Sequence, residues 1–169
     1  MFNKISIAAI TGILALGAVT VNAAEVVKPP FTVTDEMTRK ECGDCHMAFP
    51  PSRLTKMGWT KIMDDLSNHF GEDASLDAKT VEHIKAYLIS AALDRKNGIR
   101  TKMRLKAWAK KGIVDPIRIV DTPEWIGEHK SSRFKTMQKD VGYMGSNCSK
   151  CHLNGNRGQY ESFKDRYPD

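Results

Sequence analysis

Cys42-Gly43-Asp44-Cys45-His46 and Cys148-Ser149-Lys150-Cys151-His152 are two copies of one pattern, C-x-x-C-H, and they contain all four cysteines of the 169-residue chain. Two thiols at this spacing lie within one helical turn. Each can form a thioether to a vinyl group of one porphyrin, and the histidine that follows then lies under the iron as an axial ligand. Without the histidine the pattern would read as a redox dithiol; with it, c-type haem attachment is the reading.

Three rival readings fit less well. A zinc site built from Cys42, Cys45, Cys148 and Cys151 would not need a histidine after each pair, and the long separation of the pairs exceeds that of a zinc ribbon. A thioredoxin-like disulfide needs a βαβ context that this sequence lacks. Structural disulfides are common in exported chains, but they do not explain a histidine after both pairs.

Each iron has a second axial position, and three further histidines could fill it: His69, His83 and His129. Periodicity separates them. The stretch from Trp59 to Phe70 reads as one amphipathic helix with Trp59, Ile62, Met63, Leu66, His69 and Phe70 on a common face and Gly71 as its stop. His69 thus points toward the core that must contain the first haem. A second helix is expected from Asp77, its N-cap, to about Leu93, with Val81, Ile84, Leu88 and Ala91 as its apolar stripe. His83 falls about 120° from the centre of that stripe, so it reads as a solvated residue.

A third helix starts at Thr122, with Pro123 and Glu124 suited to its first turn. Trp125 and His129 share a face of it, which makes His129 the distal ligand for the second motif. Methionine is the competing ligand type, and Met47, Met63 and Met144 stand near the expected sites. A methionine would raise the reduction potential relative to two histidines. The histidine count and placement favour two histidines at each iron.

Outward from these motifs, a helix should run from about Asp35 into the first one, and Pro50-Pro51 marks the turn after it. Phe49, Trp59 and Tyr87 are candidate haem-packing aromatics. From Arg95 to Lys111 there are eight Lys or Arg and no acidic residue, with Met103, Leu105 and Trp108 interleaved. That run reads as a solvated face, a neutraliser of haem propionates or a docking patch for an acidic redox partner. An extended stretch is expected around Ile117 to Val120, and a short helix begun at Ser146 should carry the second motif. The expected organisation is a first haem unit over 24–94, a basic connecting segment over 95–116 and a second haem unit over 117–169.

Residues 1–23 are set apart from the fold. Lys4 precedes an uncharged, mostly apolar run from Ile5 to Val21, and Val21-Asn22-Ala23 offers small residues for cleavage. This is the layout of a secretory signal peptide, too diluted by Thr and Gly for a retained anchor. The mature chain is expected to be a periplasmic protein without stable membrane insertion. Apolar residues make up 41% of the whole sequence, but the leader inflates that share; two haems would supply the missing apolar surface. The net charge of +6 is partly offset by haem propionates. It therefore does not by itself indicate nucleic acid, and no nucleic-acid-binding motif is present.

The stretches CGDCHMAFPPSRL, GWTKIMDDLSNHFGEDASLD, IKAYLISAALD, TPEWIGEH and NCSKCHLNGNRGQYE, in this order, resemble the DHC-type dihaem cytochrome c family. The block HFGEDASLD carries the resemblance more specifically than the haem motifs. It implies a mainly α fold of short helices around two covalent haems, with little or no sheet. It also implies a periplasmic electron carrier with two bis-histidine haems, the distal ligands being His69 and His129. The partner implied is a small oxygen-binding monohaem cytochrome, to which family members donate electrons, sometimes alongside a membrane cytochrome b. The expected role is electron transfer and not enzymatic turnover. The alternative is a haem enzyme or gas-binding sensor with one open iron position, and that alternative hinges on His129.

Overall fold

The computed structural model describes residues 32–132, 134–135 and 148–155. The expected signal peptide, the helix start at Ser146 and Met144 lie outside the described residues. The described fold consists of helices α1 (Glu36–Gly43), α2 (Lys56–Met63), α3 (Ala78–Ser90), α4 (Ile99–Lys110) and α5 (Pro123–Glu128), joined by short 3-10 turns. Among the described residues there is no strand, only an isolated antiparallel bridge between His69 and Glu72. The fold is mainly α, as expected. No helix among these residues is long and apolar enough to cross a membrane.

Local chemistry starts most of the helices. The Asp35 carboxylate accepts from the Thr38 N–H at 2.7 Å, and Thr55 Oγ1 accepts from Gly58 N. Asp77 accepts from Lys79 N and Thr80 N, and Thr122 Oγ1 from Trp125 N. Each of these side chains satisfies a donor that a helix start leaves orphaned, worth about 1 kcal/mol per cap.

The core forms where α2 packs on α3. Leu54, Trp59, Met63, Ile84, Leu88 and Ala92 are buried together, and a large apolar side chain buried this way contributes roughly 1.5–3 kcal/mol. Trp59 donates its indole N–H to the Pro51 carbonyl at 2.7 Å, so it satisfies its polar atom inside the core. Two straps close the layer. Leu93 N donates to Leu54 O at 2.8 Å, and Thr55 Oγ1 donates to Asp115 Oδ1 at 2.7 Å. The second strap presses the 115–116 backbone against Gly58, where a Cβ would meet Pro116 O at 2.5 Å.

The structure corrects three local expectations. The helix expected from Trp59 to Phe70 ends at Met63, with Asp64 as C-cap, and a 3-10 turn follows at Leu66–Asn68. Asp64, Asp65, Ser67 and Asn68 compete for backbone hydrogen bonds, and acidic charge is disfavoured at a helix C-terminus. The extended stretch expected at Ile117 to Val120 is extended at Arg118 but becomes a 3-10 turn at Ile119–Asp121. The second motif opens on a 3-10 turn at Cys148–Lys150.

Candidate haem sites

The last turn of α1 carries Cys42, and His46 N donates back to Cys42 O at 3.3 Å, which folds the first motif into one compact turn. The half-buried His46 donates from Nδ1 to the Met47 carbonyl at 2.9 Å. A carbonyl can only accept, so the proton is on Nδ1 and the Nε2 lone pair is free for a metal. Phe49 stacks on this ring, centres 5.2 Å apart. Trp59 belongs instead to the buried core, and the Tyr87 hydroxyl accepts from Thr34 N at 2.9 Å, tying down the chain before α1.

His69 reaches the same place without a continuous helix. In a 3-10 turn residues i and i+3 eclipse, so His69 follows Leu66, which packs on the core. A tight turn then fixes its backbone. His69 N donates to Glu72 O at 2.8 Å and Glu72 N to His69 O at 3.2 Å, with φ of 58° at Phe70 and 99° at Gly71. A positive φ is uncommon for a bulky residue such as Phe70. The Phe70 ring meets His69 edge-on, centres 4.8 Å apart, and a cavity of about 350 Å³ beside them is also lined by Ile62 and Ile117. Burial, then the nearby His46, lowers the His69 pKa below the usual imidazole value, which favours the neutral ring that a metal needs.

The second site repeats the plan with different parts. Cys151 N and His152 N both donate to Cys148 O, at 3.1 and 2.8 Å. His129 is the C-cap of α5. Its Nδ1 donates to the Trp125 carbonyl at 2.8 Å, its ring stacks on Trp125 with centres 4.4 Å apart, and Phe134 closes edge-on at 4.7 Å. The helix end thus sets both the tautomer and the ring plane.

Within each pair the ring centres are 6.1 Å apart, His46 to His69 and His129 to His152. Two imidazoles bound end-on to one ion, with metal–nitrogen bonds of about 2.0 Å and about 1.1 Å from nitrogen to ring centre, would have their centres about 6 Å apart. The donor set fits haem in another respect. Among the described residues no three His, Cys, Asp or Glu converge to hold a bare metal. Two imidazoles suffice where a porphyrin supplies the other four donors. Burial, with Glu41 close by, pushes the Cys42 thiol up to about 11, and burial likewise raises Cys148.

The remaining histidine is set aside by its partner. His83 is largely exposed on α3 and its Nε2 lies 2.8 Å from Asp35 Oδ1, the carboxylate that caps α1. That position suits structure, as its place off the apolar stripe implied.

Sequence reasoning missed the contacts that join the sites. Met47, directly after the first motif, is buried against the tail of the second, and a Cβ on Gly155 would meet Met47 Sδ at 2.5 Å and the His152 Cβ at 3.2 Å. Glu124 supports α5 with both oxygens. It accepts from the buried Trp108 indole at 2.8 Å and pairs with Arg104 at 2.8 Å. A methionine beside a haem motif reads in sequence as a competing ligand, and nothing local marks it as a spacer.

A family model described as dihaem cytochrome c matches residues 38–160, well over half of the chain. The chain belongs to the dihaem cytochrome c family. The family implies two covalently bound haem c groups, and among solved structures its members recur. A diheme cytochrome c from Rhodobacter sphaeroides is 38% identical with a TM-score of 0.65, the match covering 77% of this chain and 99% of that one. A second structure, of DHC purified from Rhodobacter sphaeroides, is 36% identical with a TM-score of 0.58, covering 76% and 99%. A diheme cytochrome type c from Shewanella baltica is 28% identical with a TM-score of 0.56, covering 75% and 86%. No curated protein sequence matches. This dihaem cytochrome c therefore shares its helical fold with solved relatives over most of their length.

Proposed function

We propose that this dihaem cytochrome c is a periplasmic electron carrier with both irons six-coordinate. Cys42, Cys45 and His46 bind the first haem and His69 completes it; Cys148, Cys151 and His152 bind the second and His129 completes it. The matching separation of the two imidazole pairs carries this reading. When bound, the haems supply a one-electron Fe(III)/Fe(II) couple.

The chain's own residues prepare for that chemistry. His46 and His129 direct their protons to backbone carbonyls and leave Nε2 to ligate. The Phe70 turn and the Trp125 stack hold the distal rings where they are needed, so little must reorganise on a change of oxidation state. Donation of electrons to a small oxygen-binding monohaem cytochrome, sometimes alongside a membrane cytochrome b, is the role the family resemblance favours.

The test is spectroscopic. The mature holoprotein should exceed its polypeptide mass by about 1.2 kDa, as two haems require, and the oxidised protein should give low-spin signals alone. His69→Ala and His129→Ala should each produce a high-spin ferric signal, and His83→Ala should not. A high-spin signal or ready carbon monoxide binding in the unmutated protein refutes the carrier reading and favours an open-site sensor or enzyme.

A further inference from the structure

We propose that the outward face of α4 docks an acidic redox protein, a proposal that rests on the electron-carrier reading above. The helix is two-faced. Trp108 is 1% exposed and turned inward. At roughly 100° per residue, the side opposite Trp108 gathers Ile99, Lys102, Met103, Lys106 and Lys110. All five are exposed, Ile99 at 76% and Met103 at 66%. None of the ion pairs among the described residues uses these three lysines, and no acidic residue occurs from Arg95 to Lys111.

A small apolar centre ringed by uncompensated positive charge is the composition of a transient electron-transfer interface. The apolar atoms supply contact area, and the lysines steer an oppositely charged partner and speed its encounter. The position adds a reason. The inner face of α4 grips α5 through Trp108, Arg104 and Glu124, and α5 ends at His129. A partner seated on the outer face would thus be one helix away from the second haem site. An anionic lipid surface shares the charge preference, but two exposed apolar side chains on α4 give little to insert, so an acidic protein is favoured.

The reduced holoprotein would be mixed by stopped flow with an oxidised acidic blue-copper protein. One electron passes from Fe(II) to Cu(II), leaving Fe(III) and Cu(I). The rate constant should fall steeply with salt and drop about ten- to a hundredfold in Lys102→Glu/Lys106→Glu/Lys110→Glu. A control with the same change in net charge elsewhere, Arg39→Glu/Lys56→Glu/Lys79→Glu, should lose less than about threefold. The small oxidant cobalt(III) hexaammine, which takes one electron without a docking face, should show that the α4 variant remains redox-active.

Equal losses in the two variants, or none in the first, overturn the docking site and leave the carrier reading standing. Failure of the unmutated protein to reduce either oxidant removes both. Sedimentation of the holoprotein with phosphatidylserine vesicles, lost in the α4 variant, together with an unchanged copper-protein rate, would reassign the face to lipid and overturn the proposal.

Discussion

Gly58→Ala sets two effects of known size against each other. Gly58 lies within α2, where alanine would ordinarily stabilise the helix by about 1 kcal/mol. Here the new Cβ would meet Pro116 O at 2.5 Å, about 1 Å inside ordinary contact, with Leu54 Cβ and Thr55 Oγ1 both at 3.4 Å. The carbonyl is main chain and cannot rotate away, and the residue before it is held by the 2.7 Å Thr55–Asp115 bond. Overpacking of this kind costs about 1–3 kcal/mol. Against a main-chain atom that cannot give way, the cost should fall in the upper part of that range, about 2–3 kcal/mol, leaving a net loss of about 1–2 kcal/mol and a Tm lower by roughly 2–8 °C. Chemical and thermal denaturation of the holoprotein, followed by far-UV circular dichroism, would measure it. Asp115→Gly cuts the tether, so the penalty of Gly58→Ala should shrink in that background by about 0.5 kcal/mol or more. If Gly58→Ala is as stable as the parent, or more so, the strap between α2 and the 115–116 segment is not where the structure puts it.

Three further outcomes are expected. Glu124→Ala leaves the buried Trp108 N–H without its acceptor and should cost about 1–3 kcal/mol in urea denaturation; the loss should be smaller in a Trp108→Phe background. Met47→Ala should destabilise the holoprotein by about 2–4 kcal/mol and Met47→Leu by less than about 1.5, with denaturant midpoints as the readout. Burial tends to raise the Asp35 pKa, but hydrogen bonds from Thr38 and His83 outweigh it and hold the carboxyl below its ordinary value. Because the folded value is the lower one, this contribution is complete above the unfolded pKa of about 3.9 and is lost as pH falls through the folded value. Stability of Asp35→Asn should accordingly depend less on pH across that acid window, as measured by denaturation at a series of pH values.

How far the sequence could be read depended on the range of each interaction. Thr122, Pro123 and Glu124 start a helix by bonds to neighbours a few residues away, and the start lies where those residues imply. Asp77 caps α3 for the same reason, and His83 lies off the apolar stripe as the periodicity required. The misreading between Met63 and His69 is instructive. Apolar residues at three- and four-residue intervals suit an α-helix, but they equally suit an α-helix that breaks and resumes as a 3-10 turn, because both place Leu66 and His69 on one side. Periodicity therefore found the inward direction of His69 while missing the backbone that produces it.

The relation between the two sites has no local signature at all. Each histidine pair is assembled from short-range devices: a motif turn, a two-residue turn with Phe70 and Gly71 at positive φ, a helix end with a tryptophan stack. The separation of 6.1 Å recurs although the ring planes differ, 12° at the first pair and 82° at the second. The planes of His46 and His129 answer to the carbonyl and the aromatic that hold each ring. That is the pattern expected if one ion-centred group sets the spacing at both sites and unrelated local structure sets the orientation. Met47 against Gly155 is a different kind of contact, made across more than a hundred residues of sequence, and it can be read only once both motifs are in place.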